Sequence, residues 1–371
     1  ITFTVSTAWR SGYAWGVPIV VGQVIPASTG QIPFNFGDAS GVNLPMTITS
    51  VNTVEGWFFA TSSITHTYAN NAIRTAFFDG CCRVSAGNGG GFLSNNGDLG
   101  YRVETVVSFA NNNDAPICNV PPIINLPTNV SNASFTITAN DPNGDALSYS
   151  LSTSAQMCSN TCTNAAQPSG LMQPPGLSIN ASTGVVTMST VGKASGTLWS
   201  AQIRVTDSKG AVTVQDIFIR IVNQSTAPIF QYAGTPPVTP PNGAVFKIQP
   251  GQNLTFTVKA SDADAGDVVS LFGVGIPSGA TFNPGSAANP KSTTFSWTPT
   301  AGQLGYYSLA FTAEDNNLMQ SFTNVVIQVA VDPIFQVPPT RIDGTTTYLN
   351  PGNVAFDTVV ASSPVPSTNV K

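Results

Sequence analysis

The chain has 371 residues, room for two to four domains. Only 8% of them are charged, against about 25% in an ordinary soluble domain, and the 13 basic and 18 acidic residues form no basic cluster. This composition argues against a nucleic-acid partner, which needs grouped Lys and Arg, and no apolar run approaches the length of a membrane-spanning helix.

The first residues, ITFTVSTAW, read as a strand and lack the charged and apolar regions of a leader. The start is therefore expected to be a mature N-terminus or a point inside a longer protein. Trp9, Tyr13, Trp15, Trp57, Phe58 and Phe59 follow, expected to serve core packing and contacts between modules rather than a sugar-stacking platform. Phe34-Asn-Phe-Gly-Asp-Ala-Ser resembles the WDFGDG signature of PKD-type β-sandwiches, and Ile64-Thr-His-Thr-Tyr-Ala resembles that family's HTY strand entry. His66 is the chain's one histidine; its place in that strand entry favours a hydrogen-bonding role over catalysis.

At Ala115-Pro116-Ile117-Cys118 begins a phrase that returns as Ala227-Pro228-Ile229-Phe230 and Asp332-Pro333-Ile334-Phe335. Its prolines lie 112 and 105 residues apart, the size of one β-sandwich domain. The expected modules are 1–113, 114–225 and 226–331, with residues 332–371 as an incomplete fourth module or linker strand. Ser134-Phe-Thr-Ile-Thr-Ala, Ala201-Gln-Ile-Arg-Val-Thr, Asp216-Ile-Phe-Ile-Arg-Ile-Val and Leu254-Thr-Phe-Thr-Val-Lys-Ala alternate apolar and polar residues, as half-buried strands do. No long segment has helical periodicity. The fold class is therefore all-β, a string of antiparallel β-sandwiches joined end to end.

The second and third modules resemble cadherin-like and bacterial Ig-like repeats. The resemblance rests on Ile137-Thr-Ala-Asn-Asp-Pro-Asn-Gly-Asp and Val205-Thr-Asp-Ser-Lys-Gly-Ala in one, and on Ala260-Ser-Asp-Ala-Asp-Ala-Gly-Asp and Phe311-Thr-Ala-Glu-Asp in the other. Together with the PKD-like first module, it implies a multi-domain extracellular protein. In the loops of these repeats, Asp141, Asn143 and Asp145, and then Asp262, Asp264 and Asp267, place oxygen ligands on alternating positions, with Asp207 and Asp315 set to converge on them. A hard cation such as calcium favours such ligands. The plainer expectation is that they stabilise turns by bonding their own backbone.

Five cysteines occur without the spacing of a zinc site. Cys158 and Cys162 frame a short loop suited to a disulfide, and one of Cys81 or Cys82 is expected to pair with Cys118. Asn129, Asn132, Asn180, Asn223 and Asn253 each head a glycosylation sequon. Disulfides and glycans both imply an extracellular or cell-surface location. The three glutamates, Glu55, Glu104 and Glu314, are scattered along the chain, so paired-carboxylate hydrolysis is not expected. Low charge, sequons and an unfinished module lead to a structural subunit of an extracellular glycosylated filament, self-associating or joined to sister modules. The alternatives are the stalk of an adhesin and the carbohydrate-binding modules of a secreted hydrolase.

Overall fold

The computed structural model describes residues 1–331 except 31, 54, 82, 85–92, 110–112, 159–161, 164–166 and 234–238, together with 334–335 and 361–362. Strand dominates, as the period-two alternation predicts. In the first domain one antiparallel sheet runs Thr2–Arg10, Trp57–Thr65, Met46–Asn52, Val24–Ile25. The facing sheet holds Gly41–Asn43, Pro33–Asn35, Arg74–Gly80 and Tyr101–Val107. Phe3, Trp15, Phe34, Phe36, Met46, Ile48 and Phe58 fill the space between them. Gly37 of the Phe-Gly-Asp phrase has φ +81°, and a Cβ there would lie 2.3 Å from the Thr75 carbonyl oxygen. Only glycine fits this crossing of the two strands' connection.

The second and third domains share a plan. In the second, Leu147–Leu151, Leu198–Asp207 and Val212–Val222 pair antiparallel, and Ile123–Pro127 adds in parallel to the far half of Val212–Val222. A smaller sheet of Ala133–Thr136, Val185–Met188 and Ser178–Ile179 faces them. In the third, Ser270–Val274, Gly305–Glu314 and Gln320–Val329 pair antiparallel, with Ala244–Ile248 again added in parallel. Ile229–Phe230, Leu254–Ser261, Lys291–Trp297 and Thr281–Phe282 form its facing sheet. Ile137, Val186, Ile203 and Ile219 centre one core. Phe295, Trp297, Leu309 and Phe311 centre the other. The parallel first strand of each departs from the expected antiparallel pairing, as does the isolated parallel bridge between Leu93 and Leu198.

The domains do not hang in a string. Val106 of Tyr101–Val107 in the first domain pairs with Val212, the first residue of Val212–Val222, so one eight-stranded sheet runs through the first two domains. The third domain folds back onto both. Trp57 and Phe59 of the first domain, Ile123 of the second and Val274 and Ala310 of the third form one apolar cluster. Beyond residue 331, Ile334–Phe335 pairs antiparallel with Ala361–Ser362. The rest of the 332–371 segment, including the strand expected at Val354–Val360, lies outside the described residues.

Candidate functional site

Two acidic loops occupy matching places in the second and third domains. In the second, Asp141 Oδ1 accepts the backbone N–H groups of Asn143 (2.9 Å) and Asp145 (3.0 Å). Asp207 Oδ1 accepts those of Lys209 (2.8 Å) and Ala211 (2.9 Å). One carboxylate oxygen from each of Asp141, Asp145 and Asp207 lies within 4.8 Å of the others. The Asn143 Oδ1 takes the N–H of Asp114 at 2.7 Å. The Lys209 ammonium sits 2.8 Å from Asp145 Oδ2, and Asp145, then Asp141 and Asp207, raise its pKa.

The third domain repeats the loop with different ends. Asp262 Oδ1 accepts the N–H of Asp264 at 2.8 Å, and Asp315 Oδ1 accepts those of Asn317 (2.7 Å) and Met319 (2.8 Å). Asp262, Asp264 and Asp267 converge within 4.8 Å, whereas Asp315 stands just outside the group. Burial raises the Asp315 carboxyl, with hydrogen bonds from the Met319 and Asn317 N–H groups opposing it. Turn stabilisation, the plainer expectation, therefore accounts for one oxygen of Asp141, Asp207, Asp262 and Asp315.

The second constellation is one the linear sequence hides. Arg220 of the second domain reaches Glu55 of the first and lies 3.7 Å from Glu314 of the third. Asn125 bridges them, accepting from Arg220 Nε at 2.8 Å and donating to Glu314 Oε2 at 2.9 Å and to the Leu318 carbonyl at 2.6 Å. Burial, then the Glu55 charge, pushes the Glu314 carboxyl up to about 7, with Arg220 opposing. The remaining glutamate, Glu104, pairs with Arg204 of the second domain at 2.8 Å. All three glutamates thus stand at domain boundaries. Nothing in their spacing shows this, and Glu55 lies in the turn between Met46–Asn52 and Trp57–Thr65 rather than on a strand.

The seam between the first two domains is equally polar and buried. Asn96, 1% exposed, donates to the Met172 carbonyl and to Ser200 Oγ, each at 2.8 Å, and takes the Met172 N–H on its own oxygen. Neighbouring Asn95 bonds Ser200 through both carbonyl and N–H. Arg83 grips Asp216 through two hydrogen bonds of 2.9 and 2.7 Å. Cys158 and Cys162 are joined, and they pack with Met157 and Leu171 against Leu99 of the first domain.

The expected bond to Cys118 does not form. Cys118 is a free thiol, fully buried, and burial pushes it up to about 12. The reason lies in the repeat: Cys118 holds the place of Phe230, a core residue of the third domain, and points inward as Phe230 does. Cys81 is disulfide-bonded and Cys82 lies outside the described residues. Asn129, Asn132, Asn180, Asn223 and Asn253 are all exposed. Asn253 is the most engaged, donating to Ser296 Oγ and Thr298 Oγ1. The His66 ring stacks on Phe36 at 4.0 Å, with Nε2 at 2.8 Å from Asp38 Oδ2.

This architecture is that of a multi-domain protein of tandem Ig-like β-sandwiches. Comparison with known families agrees domain by domain. Residues 1–110 match the profile described as Integrin beta-like protein A-E, N-terminal, and residues 117–228 match Integrin beta-like protein A-E, second Ig-like domain. Residues 236–330 match the profile described as Putative Ig domain. The chain is similar to Integrin beta-like protein A of Dictyostelium discoideum, 27% identical over 384 residues, covering 89% of this chain and 18% of that protein. Integrin beta-like protein B of the same organism is also 27% identical, over 86% of this chain and 17% of its own length. The chain thus spans under a fifth of these relatives. Among solved structures, human CDH23 EC21-23 aligns at 17% identity over 67% of this chain and 80% of that one, with a TM-score of 0.21. No helix among the described residues is long and apolar enough to cross a membrane.

Proposed function

We propose that this chain is a braced, non-catalytic segment of a cell-surface adhesion protein, outside the cell, holding neighbouring parts of that protein at a fixed angle. The observation that carries the reading is the three-way junction of Glu55, Arg220 and Glu314. A flexible stalk has no use for an ion cluster that can form only when three domains close on one another. The integrin beta-like character of two matched profiles supports the adhesive setting, and the Cys158–Cys162 disulfide supports an oxidising compartment. Exposed sequon asparagines supply hydration that the sparse charge does not. The filament reading rests in part on the unfinished module at residues 332–371. Their described strands pair with each other within the chain, which favours a monomeric mount over a polymer subunit.

Labelling of intact cells with a Fab raised against the folded chain tests the location. Staining without permeabilisation is expected, and staining only after permeabilisation overturns the reading. Sedimentation velocity tests the assembly: a single species of monomer mass is expected, and concentration-dependent polymer restores the filament.

A further inference from the structure

We propose that Asn96–Gly97, at the seam between the first and second domains, is a gated deamidation site. The closed seam protects it; once the seam parts, the asparagine converts and the seam no longer recloses. Asparagine followed by glycine is prone to this reaction, because glycine leaves its backbone nitrogen unscreened by a side chain. The pair recurs at Asn143–Gly144 and Asn242–Gly243, where both asparagines are exposed. Asn96, by contrast, is 1% exposed and has φ +58°, a left-handed turn that asparagine tolerates.

Both polar atoms of the Asn96 carboxamide are engaged across the seam. Nδ2 donates to the Met172 carbonyl and to Ser200 Oγ, each at 2.8 Å. Oδ1 accepts the Met172 N–H at 2.9 Å and a second N–H from Gln167 Nε2. The Asn96 backbone N–H donates to Gln167 Oε1 at 2.8 Å. Met172 and Gln167 belong to the connection between Leu147–Leu151 and Ser178–Ile179, which is 26 residues long. Its counterpart in the third domain, between Ser270–Val274 and Thr281–Phe282, has 6. The added length supplies the partners that enclose Asn96.

In deamidation the Gly97 backbone nitrogen forms a bond to Asn96 Cγ and the Cγ–Nδ2 bond breaks. Nδ2 leaves as ammonia, the Gly97 proton reaching it by way of solvent. Water then opens the five-membered imide at either carbonyl, leaving aspartate or isoaspartate, and no oxidant or cofactor takes part. In the closed seam four hydrogen bonds fix the carboxamide, and burial keeps solvent from the leaving nitrogen. Reaction therefore waits on local opening. Afterwards both Nδ2 donors are gone, and a carboxylate oxygen meets the Met172 carbonyl, acceptor against acceptor. An ionised oxygen buried against an acceptor is costly, so the closed arrangement is lost.

Peptide mapping by mass spectrometry of the intact chain, aged in mildly alkaline buffer, tests the site, with thermal melts in parallel. In the folded parent Asn96 is expected to convert about tenfold more slowly than Asn143, or slower still. Arg83→Met removes the grip on Asp216 across the seam. It is expected to speed Asn96 by about tenfold and to leave Asn143 unchanged. Holding the parent in urea below its unfolding midpoint is expected to do the same, and covers the case in which that variant does not fold. Gly97→Ala, whose new Cβ comes no closer than 3.6 Å to the Leu93 carbonyl oxygen, is expected to slow conversion in the opened seam. Asn96→Asp stands for the product and is expected to lower the unfolding transition of the first two domains, with the third unmoved. Conversion of Asn96 in the folded parent at the rate of Asn143 overturns the proposal. So does an Asn96 that stays intact when the seam is opened, or an Asn96→Asp chain that melts as the parent does.

Discussion

The seam between the first and second domains and the attachment of the third are built from different materials. Across the seam the backbone itself is continuous: Tyr101–Val107 extends the sheet of the second domain, and Asn95, Asn96 and Arg83 fasten its flank. The third domain is held by side chains alone, through Arg220, Asn125 and the two glutamates beside the Trp57–Phe59–Val274–Ala310 cluster, with further bonds from Asn119 to Ser308 and from Asn324 to Asn119. The shared sheet meets through the Val106–Val212 pair and the Thr105 hydroxyl's bond to the Val212 carbonyl, backed by the Asn95, Asn96 and Arg83 bonds, whereas the third domain's junction has no backbone pair of this kind among the described residues. The first two domains should therefore unfold as one unit and the third should detach before them.

The largest effect is expected at the junction. Arg220→Met leaves Glu55 and Glu314 facing each other with no cation, and removing one partner of a buried pair costs about 3–5 kcal/mol. Calorimetry should show the third-domain transition falling further below that of the first two domains. A single transition lowered as a whole would erase the difference between the two attachments.

At the seam, Asn96→Ala removes a side chain that answers Met172 and Ser200 and leaves their polar groups buried, a loss of about 2–3 kcal/mol. Here the first two domains should fall together in denaturant titration, with the third-domain transition unmoved.

Acidity sharpens the comparison further. The Glu314 carboxyl is raised from 4.5 to about 7 in the folded chain. Its charge thus costs stability above pH 7, and that cost shrinks as the pH falls toward 4.5, where folded and unfolded forms are both protonated. Lowering the pH from 8 to 6 should strengthen the third domain's attachment by about 1 kcal/mol. Glu314→Gln should flatten that dependence, and an unchanged slope would remove Glu314 from the account.

The smallest effect lies far from both interfaces. Asp38 is held down to about 2 by Ser40 and then His66. Its contribution is complete above about pH 4 and is lost as the pH falls through 2. The difference in melting temperature between the parent and Asp38→Asn should narrow over that interval; a constant difference would mean that the charge of Asp38 contributes nothing through Ser40 and His66.

Alternation made the strands legible in the sequence, because one face of each is apolar: Ile203, Val205, Ile217 and Ile219 all point into one core. What alternation leaves undecided is the fate of the other face. Arg220 occupies an outward position of Val212–Val222 and reads as a solvated charge, yet that face meets two neighbouring domains. Asn95 and Asn96, in a Gly- and Asn-rich stretch, read as a surface loop for the same reason. Their partners lie more than 70 residues away, and polar contacts at that distance leave no period. Cys118 shows the converse error: a residue type suited to bonding was read by chemistry, when its place in the repeat marked it as core.

The claim that three domains close into one block is tested most directly by small-angle X-ray scattering of the intact chain at physiological salt. A compact 371-residue protein has a radius of gyration of about 21 Å. The account predicts a value close to that, rising in Arg220→Met as the third domain swings free. A parent value well above that of the compact chain, and the same in the variant, would contradict it.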